Sequence, residues 1–172
     1  MAKFRMLALV PAFAALAACH RGPKAGGAPP AAPVRTASES ARSIATATAG
    51  YVEAPSLAKS PPALRLKFAP QSRPTVGVPL TIDLAMIPPE AALAATINVA
   101  ADPSFNVDPA SRTITLPSLL PHTLYRRRIT VTPTAAGVQA LAIDVALSRA
   151  SGIDQADFVL PLIVATAATQ NP

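Results

Sequence analysis

Cysteine occurs once in this 172-residue chain, at Cys19, tryptophan is absent, and histidine occurs only as His20 and His122. A single cysteine cannot close an internal disulfide, so a disulfide framework is excluded. One thiol and two separated histidines do not make the clustered donor set of a zinc site, and no metal ligand set is expected. Aromatic residues are only 4% of the chain. Nucleic-acid surfaces stack bases on aromatic rings, so the net charge of +6 does not indicate a nucleic-acid binder. Charged residues are 14%, against about 25% in ordinary globular proteins. A transmembrane helix needs about 20 apolar residues in a row, and no stretch here reaches that. The hydrophobic fraction of 51% is carried largely by alanine, which fills 38 positions.

The densest signal lies at the N-terminus. Lys3 and Arg5 precede an apolar run of 11 residues from Met6 to Leu16, which leads through Ala17 and Ala18 to Cys19 and then to His20-Arg21-Gly22-Pro23. A basic start, a short apolar stretch and small residues before a polar break form the order of an export signal. Leu16-Ala17-Ala18-Cys19 resembles the lipobox of bacterial lipoproteins. The resemblance implies a signal peptide over residues 1–18, cleaved before Cys19, with diacylglycerol on the Cys19 thiol and an acyl chain on its new amine. No other cofactor is expected. Two or more chains hold a protein stably at a membrane without spanning it. In that family Asp after the lipidated cysteine marks inner-membrane retention. His20 stands there instead, so the periplasmic face of the outer membrane is the expected location.

Residues 19–62 have the composition of a flexible tether. From His20 to Pro62, seven of 43 residues are Pro and 11 are Ala, with few large apolar side chains. Such a segment buries too little surface to offset its ordering entropy. Extended in polyproline geometry it would reach roughly 130 Å. Thr36-Ala37-Ser38-Glu39 matches a helix capping box, which predicts a transient helix over 37–48, without a hydrophobic stripe to pack it. The alternative to a spacer is a binding segment around Ile44 to Val52 that orders on a partner.

Bulky apolar residues return after residue 62, and their period is two. Leu64, Leu66 and Phe68 alternate with Arg65 and Lys67. Leu80, Ile82, Leu84 and Met86 alternate with Thr81, Asp83 and Ala85. Leu141, Ile143, Val145 and Leu147 form another such series, and Phe158, Leu160, Leu162 and Val164 close the chain. Shorter runs surround Ile97, Ile114 and Ile129. Alternation with one apolar face marks half-buried antiparallel strands. Turn formers fall between the runs: Pro88-Pro89, Asp102-Pro103, Asp108-Pro109, Pro121, Pro133 with Gly137, and Gly152. A short helical turn is expected over Pro89 to Ala95. Pro161 cannot donate to a ladder, so its strand must be an edge or carry a bulge. The expectation is an all-β domain over residues 63–170, a single antiparallel sandwich of about seven strands. The Asp83–Pro88 strand end, the Pro133-Thr134-Ala135-Ala136-Gly137 turn and the closing Phe158-Val159-Leu160-Pro161-Leu162 strand resemble immunoglobulin-like domains of bacterial cell-envelope proteins. Tyr125 is then a candidate tyrosine corner.

No catalytic set emerges. A serine triad would have to use His122, which sits in a Pro-flanked turn, and no Gly-x-Ser-x-Gly elbow presents a serine. Asp154 and Asp157 are the only acidic pair close in sequence. Arg126-Arg127-Arg128 is the one charge run. On a strand Arg126 and Arg128 share a face, with Arg127 opposite. The run is either a solvated strand end or an anion site for lipid head groups or acidic glycan. Charge divides by region: residues 63–172 carry eight basic and seven acidic side chains, so the basic excess lies in the signal and tether. These features predict a non-enzymatic envelope lipoprotein. It would present its sandwich to another envelope protein, with no small-molecule substrate and no nucleic acid.

Overall fold

The computed structural model describes residues 37–58, 63–100 and 102–167. The signal segment, Cys19 and the tether as far as residue 36 lie outside these residues. Strand β3 (Leu80–Ile87) buries Leu80, Ile82, Leu84 and Met86 as its alternation requires. It pairs antiparallel with β2 (Arg65–Pro70) on one side and β7 (Tyr125–Pro133) on the other. With β1 (Val52–Glu53) and β5 (Phe105–Val107) these make a five-stranded sheet in the order β1-β2-β3-β7-β5. A second sheet runs β6-β4-β8-β9, from β6 (Thr113–Leu119), β4 (Ala92–Val99), β8 (Gly137–Arg149) and β9 (Gly152–Val164). Their inner faces meet in one core, with Phe68, Ile82, Leu84 and Ile129 from the first sheet and Ile97, Leu116, Leu141, Ile143 and Phe158 from the second. Each such large side chain contributes roughly 1.5–3 kcal/mol on burial. The protein is thus an all-β sandwich, as the alternation predicts.

The strand orders parallel the two sheets of immunoglobulin domains. Strands β2, β3, β7 and β5 take the places of A, B, E and D, and β6, β4, β8 and β9 those of C′, C, F and G. One step differs. The chain visits β5 before β6, joining them through the single turn α2 (Pro109–Arg112). Asp108 caps that turn by accepting from the Ala110 N–H at 2.9 Å, with Pro109 in the first helical turn. Buried Ser111 then accepts the Thr130 N–H, closing α2 onto β7.

The longest element is the hairpin β8–β9, paired from Gly137 with Val164 to Arg149 with Gly152. Its turn residues Ala150 and Ser151 keep negative φ, and the positive φ (+139°) falls on Gly152, where a side chain would be strained. Strand β9 is a sheet edge, one of the two placements that Pro161 allows. The Val159 N–H donates to Pro55 and the Ala165 N–H to Pro74, both away from β8. Nitrogens alternate sides along a strand, so Pro161 places its missing donor on that same open side.

Four expectations are corrected. The sandwich has nine strands rather than about seven, because β1 and β5, of two and three residues, are too short to show a period. Residues 92–95 are strand, not a helical turn: ladder bonds to β6 and β8 outweigh alanine's helix preference. Helix α1 (Ala37–Ala47) and residues 51–57 belong to the fold, although composition assigns them to the tether. Ala54 is buried in the core, β1 pairs with β2, and Ser56 bridges to Phe158. Edge strands are held by backbone hydrogen bonds, which need no large side chains, so a Pro- and Ala-rich segment can serve. The segment around Ile44 to Val52 does order, and its partner is the sandwich itself.

Candidate functional site

The arginine run occupies the start of β7 and separates as strand parity requires. Arg126 and Arg128 lie on the outer face of the first sheet, and Arg127 points opposite. The three side chains have three different uses. Arg126 donates to the Ala47 carbonyl at the C-terminus of α1 and lies 5.8 Å from the Tyr51 ring centroid. A cation at a helix C-terminus meets the negative end of the dipole and satisfies an orphan carbonyl. Arg128 pairs with Asp83 at 2.9 Å, and Gln71 donates to the other Asp83 oxygen. Arg127 bonds only the neighbouring Arg126 carbonyl among the described residues. The structure therefore commits two members of the run to intramolecular partners.

A wider cationic surface forms around Arg126. Lys67, Ala85 and Arg126 lie side by side in register across β2, β3 and β7, and Arg65 stands opposite Ile87. Arg65 makes a two-point pair with Glu53 of β1. That hydrogen bond holds the Glu53 carboxyl below its ordinary range, with the attraction of Arg65 and Lys67 adding to it against the cost of burial. The same bond raises Arg65. Helix α1 lies over this surface, anchored at its C-terminal end by Arg126 and by Lys67, whose ammonium donates to Thr48 at 3.4 Å. Between helix and sheet runs a groove of about 710 Å³, bordered by Ser40, Ile44, Arg65, Lys67, Ile87 and His122.

His122 is exposed in the β6–β7 turn, with φ of +52° and its N–H bonded to the Pro88 carbonyl. Tyr125 begins β7 with its ring against the core, and its hydroxyl accepts the Leu120 N–H at 2.7 Å. This is the bond of a tyrosine corner, made here at the β6–β7 connection. The two acidic residues close in sequence do not meet: Asp154 approaches Arg149 at 2.6 Å, while Asp157 points to the opposite face of β9. There Asp157 stands opposite Asp144, which in turn neighbours Asn98. Among the described residues no three His, Cys, Asp or Glu side chains form a metal-binding group.

The outer face of the β8–β9 hairpin is different in kind. Val138 is opposite Ile163, Ala140 opposite Pro161, and Ala142 opposite Val159. Val138 and Ile163 are 78% and 79% exposed, the highest among the described large apolar side chains. This continuous apolar band ends at the Asp144–Asp157 pair. Like charges directly opposite on a sheet are unfavourable, so the border of the band is acidic at a cost to the fold. The alternation in the sequence shows the inner face of this hairpin. The outer face carries no comparable pattern, because alanine and proline stand between its larger apolar side chains.

Sequence reasoning also missed Arg149. Its side chain is only 9% exposed and reaches Glu90 at 2.6 Å and the carbonyls of Ala63 and Ala91. Apart from Asp154, five residues on across the hairpin turn, its partners lie far off in the chain, so no local pattern could have marked them. No family model matches the chain, and no curated protein matches it.

Proposed function

We propose that this chain is a non-enzymatic lipoprotein of the bacterial cell envelope whose sandwich docks on another envelope protein. The observation that carries the docking reading is the apolar band on β8–β9, with its acidic border. A contiguous apolar strip open to water costs solubility unless a partner covers it. The matching surface is an apolar strip edged by Lys or Arg, which would relieve the Asp144–Asp157 repulsion.

The anchor follows from Leu16-Ala17-Ala18-Cys19: cleavage before Cys19, lipid on its thiol and amine, and delivery to the periplasmic face of the outer membrane. With α1 and β1 held on the sandwich, only residues 20–36 separate anchor from fold. Their greatest reach in polyproline geometry is about 50 Å. That length sets the upper limit on how far the tether alone can carry the sandwich from the anchor.

Two experiments test this. Cys19→Ala should leave an uncleaved, unlipidated precursor and shift the protein out of the washed membrane fraction; unchanged fractionation and lipid labelling defeat the anchor. A photocrosslinking residue at Val138 or Ile163 should trap a discrete envelope protein in cells, while one at Thr115 on exposed β6 should not. Equal capture from all three positions, or none from the band, defeats the docking face.

A further inference from the structure

The groove beneath α1 is concave, partly apolar and unused by the docking band. Its volume of about 710 Å³ falls within the roughly 300–1,000 Å³ of small-molecule sites. Its floor is Ile87, which is 7% exposed although it lies on the outward side of β3. Ile44 faces it from α1, half-buried. One wall is cationic. Arg65 and Lys67 stand two apart on β2, so both project to this face.

Their charges are not equally spent. Glu53 compensates Arg65 with two hydrogen bonds. Lys67, whose cross-strand neighbour Glu53 is within reach of its attraction, has one long bond to a neutral hydroxyl and no close ion pair with a carboxylate among the described side chains. A half-buried ammonium above an apolar floor is stabilised by an anion that brings its own apolar body. The far wall is the Pro121–Thr123 turn, where exposed His122 borders the groove. Its ring nitrogens add a second group able to donate to an anion. The lining holds no Phe, Tyr or Trp ring on which a nucleotide base would stack.

We propose that this groove binds a single-chain anionic amphiphile, its carboxylate or phosphate on Lys67 and His122 and its tail between Ile44 and Ile87. Composition gave no sign of such a site, because one wall is a helix that reads as tether. The site does not depend on the lipid anchor or on the docking band.

The test uses the full-length mature chain and a dansyl-labelled undecanoate below its micellar concentration. Emission should rise saturably, and dodecanoate or dodecyl phosphate should reverse it, their relative potency separating carboxylate from phosphate recognition. Dodecanol and dodecyltrimethylammonium should displace poorly. Lys67→Glu should weaken binding about tenfold or more, the effect of losing one charge-assisted hydrogen bond. Lys67→Gln should fall between it and wild type, and Ile44→Asp should weaken binding with unchanged circular dichroism. Ile163→Ser, on the other sheet, should bind as wild type. Absence of saturable binding overturns the proposal, as does equal affinity of the Lys67→Glu protein. A loss in Ile163→Ser would place the probe on the apolar band instead, and also overturns it.

Discussion

Arg149→Met is the substitution whose cost the structure allows to be worked out. It keeps an unbranched apolar stem and removes the guanidinium that joins the start of β2, the β3–β4 turn and β9. The ion pairs to Glu90 and Asp154 involve carboxylates 75% and 50% exposed. Solvent-screened pairs of that kind contribute about 0.2–1 kcal/mol each. The Nε–H is not aimed at the Asp154 oxygen 2.6 Å away, so that contact is charge attraction without a hydrogen bond. The bonds to Ala63 and Ala91 are long, at 3.3 and 3.4 Å, and belong near the low end of about 0.5–1.5 kcal/mol. Together these give about 2 kcal/mol, less whatever is recovered by no longer desolvating a cation. Urea unfolding of the purified domain should show a midpoint lowered by about 1 M, given a slope of about 1–3 kcal/mol per M. Arg149→Lys keeps the charge without the planar fork and should recover less than half of the loss. Repeating Arg149→Met in a Glu90→Gln background should give less than the sum of the two, because both act through one network. An Arg149→Met protein within about 0.5 kcal/mol of wild type, the range of ordinary surface changes, would refute the clamp.

Glu53 is held below its ordinary pKa of 4.5 by Arg65, so its contribution is present above that value and lost as pH falls through the lower, folded one. Glu53→Gln should therefore speed amide exchange at Ala54, whose N–H bonds the Leu66 carbonyl, at neutral pH and low salt. The difference from wild type should shrink as pH falls below 4.5 and through the lower, folded value, and a difference that grows on acidification would contradict the pairing. Tyr125→Phe leaves the Leu120 N–H without its acceptor and should cost about 1 kcal/mol in thermal or urea unfolding. No change would mean that water replaces the hydroxyl freely.

What the chain determines locally can be followed residue by residue. Alternation over 80–86, 141–147 and 158–164 requires strands with one buried face, because side chains on a strand change sides at every step. The same parity places Arg126 and Arg128 together and Arg127 opposite, and the missing amide of Pro161 restricts β9 to an edge or a bulge. These are properties of neighbours in sequence. What only the tertiary structure decided depends on the register in which strands pair and on contacts between segments far apart in the chain. It sets Lys67 beside Ala85 and Arg126, Asp144 against Asp157, and Val138 against Ile163. It gathers Ala63, Glu90, Ala91 and Asp154 around Arg149. It also seats α1 and β1 on the sandwich through cations and backbone bonds. A composition poor in large apolar residues excludes a packed core element, but it cannot exclude an edge held by hydrogen bonds, whose partners are chosen by the fold and not by the segment.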